Sequence, residues 1–122
     1  MPDNQALVLT EVRNNVGHLT LNRVAAFNAI NLEMVRSIAQ QLNDWAADEN
    51  VVAVVLRANG DKAFCAGGDI RELYSNAKEG YVLNQIFFTE EYALDQYIHA
   101  YPKPFIALID GLTLGGGMGL VQ

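Results

Sequence analysis

Sulfur, histidine and positive charge are all scarce in this sequence of 122 residues, and each scarcity closes off a class of chemistry. Cys65 is the one cysteine, so no disulfide can form within the chain, which fits a reducing cytoplasm. The two histidines, His18 and His99, stand far apart, and no ligand cluster for a metal is visible. Eight Lys and Arg against 14 Asp and Glu give a formal net charge of -6. That balance disfavours nonspecific attachment to nucleic acid or to an anionic membrane, both of which need a positive face. No apolar stretch approaches the roughly 18 residues of a membrane helix. The first dozen residues contain acids and no unbroken apolar block, so they do not read as a signal peptide. The expected compartment is the cytoplasm.

Apolar residues are plentiful instead, at 51% of the chain, enough for the core of one small domain. Two β-branched runs, 6–12 and 16–22, flank Arg13-Asn14-Asn15 and predict a hairpin, because Asn tolerates the left-handed backbone of a tight turn. Over 32–47, Val35, Ile38, Ala39, Leu42 and Trp45 recur at three- and four-residue spacing behind Asn31, which predicts an amphipathic helix with Asn31 as its cap. The run 51–56 reads as a strand covered on both faces. A glycine-containing loop follows over 59–68. A helix is expected from near Asp69, broken around Gly80 and resumed to about His99, where Pro102 and Pro104 stop it. Residues 105–109 read as another buried strand, and 111–117 as a turn into a further helix. This alternation predicts one layered α/β unit spanning 1–122. The apolar, glycine-rich ending GLTLGGGMGLVQ reads as a segment that asks to be buried, so the expectation is a piece of a longer protein; a complete small domain with an apolar tail is the alternative.

Two glycine segments each follow an expected strand: Phe64-Cys65-Ala66-Gly67-Gly68-Asp69-Ile70 and Gly115-Gly116-Gly117-Met118-Gly119. Glycine allows close approach of main chain to a ligand, and where such a segment opens a helix its free N–H groups point outward at the positive end of the dipole. Two such termini facing each other would cradle an oxygen that gains negative charge. The plainer alternative is that these glycines only permit sharp turns and close packing. Neither segment matches a phosphate-binding loop or a dinucleotide fingerprint.

Taken in order, Leu21-Asn22-Arg23 and Asn28-Ala29, Lys62 to Ile70, Lys103-Pro104-Phe105-Ile106-Ala107-Leu108-Ile109-Asp110-Gly111 and the triple glycine resemble the crotonase (enoyl-CoA hydratase/isomerase) superfamily over nearly the whole chain. Val24 departs from the proline usual after Asn-Arg. The resemblance implies a crotonase-like spiral of ββα units, of which this would be the amino-terminal part. It also implies an acyl-coenzyme A substrate, with coenzyme A as part of the substrate and no separate prosthetic group, and association into a homo-oligomer. The N–H groups of Gly68 and Gly116 would bind the thioester oxygen, and main chain around Ala66, Gly67 and Asp69 would contact coenzyme A. Hydratases of the family carry a glutamate where this chain has Gly119. The sequence is most similar to the 3-hydroxyisobutyryl-CoA hydrolase branch, which shares Phe64 to Arg71, the stretch Phe87-Phe88-Thr89-Glu90-Glu91-Tyr92, and Gly115 to Leu120. In that branch Glu91 and Gly116 are substrate-site residues, and the catalytic glutamate and aspartate lie downstream of Gln122. The implied reaction is thioester hydrolysis. A hydratase or isomerase of the superfamily and a non-catalytic coenzyme A-binding piece stand as alternatives.

Read without the resemblance, Glu90 and Glu91 fit a solvated helical face. Asp69 fits a helix cap better than an acid, and Cys65 fits packing better than a nucleophile, with no histidine near it in sequence. Arg23, Lys62 and Arg71 fit either solvated surface or the coenzyme A phosphates.

Overall fold

The computed structural model describes residues 6–60, 63–65, 67–78, 80, 82–108 and 112–113. Asn14 and Asn15 both adopt positive φ, 52° and 65°, the left-handed pair whose twist matches the strands that a two-residue turn joins. The hairpin comprises β1 (Val8–Arg13) and β2 (Val16–Leu21), antiparallel with Arg13 opposite Val16. Strand alternation sends Gly17, Leu19 and Leu21 to one buried face.

Helix α1 (Leu32–Ala46) covers that face. Its start is local chemistry: Asn31 takes extended backbone and its side chain accepts the Met34 N–H at 2.9 Å. Met34, Val35, Ile38, Leu42 and Trp45 form its buried stripe. The Trp45 ring rests on Gly17, where an added Cβ would lie 2.5 Å from it. At the other end the Lys103 ammonium donates to the carbonyls of Trp45 and Asp48 at 2.5 and 2.6 Å, satisfying oxygens that a helix C-terminus leaves open.

The chain then returns as β3 (Ala53–Ala58), parallel to β2, and β5 (Phe105–Ala107) adds in parallel to β3, giving the order β1-β2-β3-β5. The expected strand 51–56 starts two residues late. The N–H of Val51 closes the turn after α1 on Asp48, although its side chain is in the core. Among the described residues, the strands are also covered on one face and not on both. Val54 and Leu56 are fully buried, whereas Ile106 is 48% exposed on the opposite face of the sheet.

The expected loop 59–68 contains a strand, β4 (Ala63–Cys65), and the expected turn 111–117 contains β6 (Leu112–Thr113); the two pair in parallel, Cys65 beside Thr113. Strands this short offer no periodicity to read. Helices α2 (Ile70–Lys78) and α3 (Val82–His99) follow β4, separated at Gly80, whose φ of 114° glycine adopts freely. Phe87, Leu94 and Ile98 of α3 complete the core against α1. The layered α/β architecture is as expected, and β1, β2 and α1 form one ββα unit. Among the described residues no helix is long and apolar enough to cross a membrane.

Candidate functional site

The segment after β4 is fixed by main chain. Gly67 sits at φ 89°, and its N–H donates to the Cys65 sulfur at 3.4 Å. The Ile30 N–H donates to the Gly67 carbonyl at 2.6 Å, and the Asp69 N–H donates to the Ile30 carbonyl at 2.8 Å. Gly68 is therefore bracketed by a parallel bridge to Ile30. In a trans peptide the carbonyl of one residue and the N–H of the next point in opposite directions. Since the Gly67 carbonyl points at Ile30, the Gly68 N–H points directly away from it. No hydrogen-bond acceptor for that N–H is present among the described residues. A Cβ on Gly68 would meet Phe87 at 3.5 Å and Leu73 at 3.7 Å, ordinary contact distances. Packing among the described residues thus does not demand glycine there.

Gly116, the rest of the triple glycine, Gly119, Ala66 and Lys62 lie outside the described residues. Their strands do not: β4 and β6 run in parallel, with Cys65 paired to Thr113. Gly68 follows Cys65 by three positions and Gly116 follows Thr113 by three. Each glycine segment thus follows, in the sequence, one of two neighbouring parallel strands, which stand about 4.8 Å apart in any sheet.

The asparagines and arginine of the early motif turn out to be the frame of this loop. Asn28, buried and at φ 56°, accepts the Arg23 N–H through Oδ1 at 2.8 Å and donates through Nδ2 to the Asn59 carbonyl at 2.9 Å. The Arg23 guanidinium donates to the Ala29 carbonyl at 3.0 Å and pairs with Asp69 Oδ2 at 2.6 Å. Asp69 Oδ1 accepts the Glu72 N–H at 3.2 Å, the cap of α2. The capping reading of Asp69 holds. Its N–H and both carboxylate oxygens have partners inside the protein. The Arg23 side chain is 24% exposed and turned to Asp69 and the Ala29 carbonyl, so it is not freely solvated surface. Arg71 lies in α2, and its side chain is outside the description.

Helix α3 presents two acids to two environments. Glu90 faces outward and takes a two-pronged bond from Arg36, at 2.9 and 2.8 Å, which holds its carboxyl below the usual range. Glu91 falls on the inner stripe between Phe87 and Leu94, and its Oε2 is shielded from solvent with no partner among the described residues. Burial, then the charge of Asp95, pushes the Glu91 carboxyl upward. Asp95, one turn on, has a shielded Oδ1 without a partner among the described residues and is likewise raised by burial. The solvated-face alternative therefore fits Glu90 and not Glu91. Sequence reasoning passed over Asp95; its spacing of four from Glu91 was the available signal.

The Cys65 thiol is fully buried, and burial pushes it up to about 11, with the Glu91 charge adding to the rise. A thiol held protonated is no nucleophile at neutral pH, and the packing role holds. His18 lies on the open face of the sheet with Nδ1 3.3 Å from Arg57, and burial followed by the Arg13 and Arg57 charges lowers its pKa. His99 is exposed at the end of α3. Among the described residues no group of three or more His, Cys, Asp or Glu could hold a metal. A groove of about 580 Å³ runs between α1 and α3, lined by Val35, Ala39, Ala93 and Tyr97, and neither Gly67 nor Gly68 lines it.

Comparison with known proteins places this geometry. The enoyl-CoA hydratase/isomerase family profile matches residues 16–122. The chain is 49% identical over 113 residues to the mitochondrial 3-hydroxyisobutyryl-CoA hydrolase of Danio rerio, covering 93% of this chain and 30% of that protein. The identity is 42% to the same-named protein of Homo sapiens, over 93% of this chain and 29% of that one. The chain thus spans about 30% of the length of these relatives. Among solved structures, a carnitinyl-CoA dehydratase from Mycobacterium thermoresistibile superposes with a TM-score of 0.93 at 40% identity, over 95% of this chain and 34% of that one. An enoyl-CoA hydratase from Rhodobacter sphaeroides gives 0.90 at 42%, over 94% and 34%. With the profile covering most of its length and the fold matching at this level, the chain belongs to the enoyl-CoA hydratase/isomerase family and carries part of the crotonase fold.

Proposed function

We propose that this chain supplies the carbonyl-binding half of an acyl-coenzyme A thioester hydrolase, with the N–H groups of Gly68 and Gly116 converging on the thioester oxygen. One observation carries the reading. The Gly68 N–H is turned away from its bridge partner and left without an acceptor among the described residues, three residues after a strand that pairs in parallel, with a register shift, with the strand preceding Gly116 in sequence. When water or a carboxylate attacks the thioester carbon, the carbonyl oxygen takes the negative charge. Fixed donors at that position lower the barrier without reorganising, and loss of one typically costs about 2.7 to 4 kcal/mol. Collapse of the adduct expels the coenzyme A thiolate. Coenzyme A is then part of the substrate, with main chain at Ala66 and Gly67 beside its adenine, and Glu91 as a polar contact for the acyl group.

Hydrolysis is favoured by the names of the relatives most similar in sequence and by Gly119, which offers no acid where hydratases carry one. The carboxylates of the chemistry would be supplied from beyond Gln122, and a homo-oligomer would complete the pocket. The second reading, hydration or dehydration of an enoyl thioester, has the named activities of the superposed structures on its side. The test is turnover by the complete protein of branched hydroxyacyl-CoA against enoyl-CoA substrates. Release of free thiol from the former, abolished by Gly116→Val, is the expected result. Hydration without thiol release would select the second reading, and an active Gly116→Val variant would remove the oxyanion assignment.

A further inference from the structure

We infer that Arg23 is a positioning residue for the Gly68 N–H, acting through Asp69 and Ala29; this rests on reading that N–H as the oxyanion donor. Two adjacent glycines leave the peptide between residues 67 and 68 free to rotate, since neither has a side chain to restrict it. A donor earns its effect only if it is held at the oxygen's position beforehand. The structure supplies the restraint as a closed circuit. Ile30 grips the Gly67 carbonyl at 2.6 Å and the Asp69 N–H at 2.8 Å. The Asp69 carboxylate is fixed between the Glu72 N–H at 3.2 Å and the Arg23 guanidinium at 2.6 Å. A second arm of that guanidinium returns to the carbonyl of Ala29, the residue before Ile30, at 3.0 Å. The Gly68 peptide lies inside this circuit and cannot swing without breaking one of its members.

Arginine suits the task because its planar fork holds two acceptors at a fixed angle, which a lysine ammonium on a flexible stem does not. The pair is also sheltered, with side chains 24% and 11% exposed, so solvent competes with it little. Arg23 is itself held at its main chain by Asn28, whose other end is bonded to the Asn59 carbonyl at the exit of β3. The motif Asn22-Arg23 with Asn28 thereby connects three loops to one peptide group.

The test uses the complete protein with Arg23→Gln and Asp69→Asn, the latter keeping a side chain able to cap α2 while removing the ionic strut. Thermal unfolding identifies the folded variants. In these, kcat for thioester turnover should fall about tenfold to a hundredfold, the scale of a misplaced reacting group, with KM nearly unchanged; Arg23→Lys should fall in between. The distinguishing readout is the carbonyl stretch of isobutyryl-CoA, carbon-13 labelled at the thioester and recorded by difference infrared. It should shift to lower frequency on the wild-type protein and shift less on Arg23→Gln and Asp69→Asn. A full wild-type shift that both variants retain, with kcat unchanged, overturns the positioning role and leaves the oxyanion reading standing. Absence of any shift on the wild-type protein overturns both. Should Arg23→Gln fail to fold, Asp69→Asn and Arg23→Lys carry the same comparison.

Discussion

Helix α1 turns Met34, Val35, Ile38, Leu42 and Trp45 into the core, caps its first turn with Asn31, and has the Trp45 carbonyl in its last turn met by Lys103. Helix α3, packed against it, also has an apolar stripe in Phe87, Leu94 and Ile98. The stripe position between Phe87 and Leu94, however, holds Glu91, and Asp95 follows a turn later, each with a shielded oxygen left without a partner among the described residues. A helix shaped for stability alone would place leucine or isoleucine there. The first helix shows what the fold requires of this sequence, and the second shows where the sequence departs from it. Departures of that kind concentrate at working sites, because unpaired buried acids cost stability and persist only where something else needs them.

The comparison breaks most visibly if the stripe of α1 is cut. Leu42→Ala removes a fully buried side chain from the centre of the core and should cost about 2 to 5 kcal/mol, read as a fall in the denaturation midpoint. A loss below about 1 kcal/mol would mean that the core lies elsewhere. A smaller effect, of opposite sign, should come from α3. Both Glu91 and Asp95 have carboxyls raised by burial, so the fold favours their neutral forms. Below the ordinary carboxyl range both folded and unfolded states are protonated and nothing is lost. As pH rises through that range the unfolded chain ionises first, and stability falls until the folded carboxyls have ionised too. Glu91→Gln should therefore stabilise the protein at pH 7 by under about 1 kcal/mol, given partial solvent screening, and the gain should vanish near pH 4. The same substitution should raise KM of the complete protein severalfold, about 1 kcal/mol or less in binding. Stability and substrate affinity moving together, in either direction, would contradict a functional reading of the inner acid.

What was legible in the sequence follows the range of the forces involved. The hairpin and α1 were readable to within a residue or two, because Asn14, Asn15 and Asn31 act on their immediate neighbours. The strands β4 and β6 were not, since a two- or three-residue strand exists only through its partner far along the chain. Residues 105–109 read as buried from their apolar run, yet only one face of β5 is covered within the described residues. At the site, Gly67 and Gly68 announced themselves by composition and Glu91 by the resemblance. The parts played by Ile30, Arg23 and Asn28 could not be read, because each reaches across to a loop it does not adjoin in sequence.

The most direct measurement is a crystal structure of the complete protein with an acyl-CoA thioester bound. Both amide nitrogens, of Gly68 and of Gly116, are expected within about 3 Å of the same thioester oxygen. A thioester oxygen hydrogen-bonded elsewhere, or two nitrogens too widely separated to meet at one atom, would contradict the account at its centre.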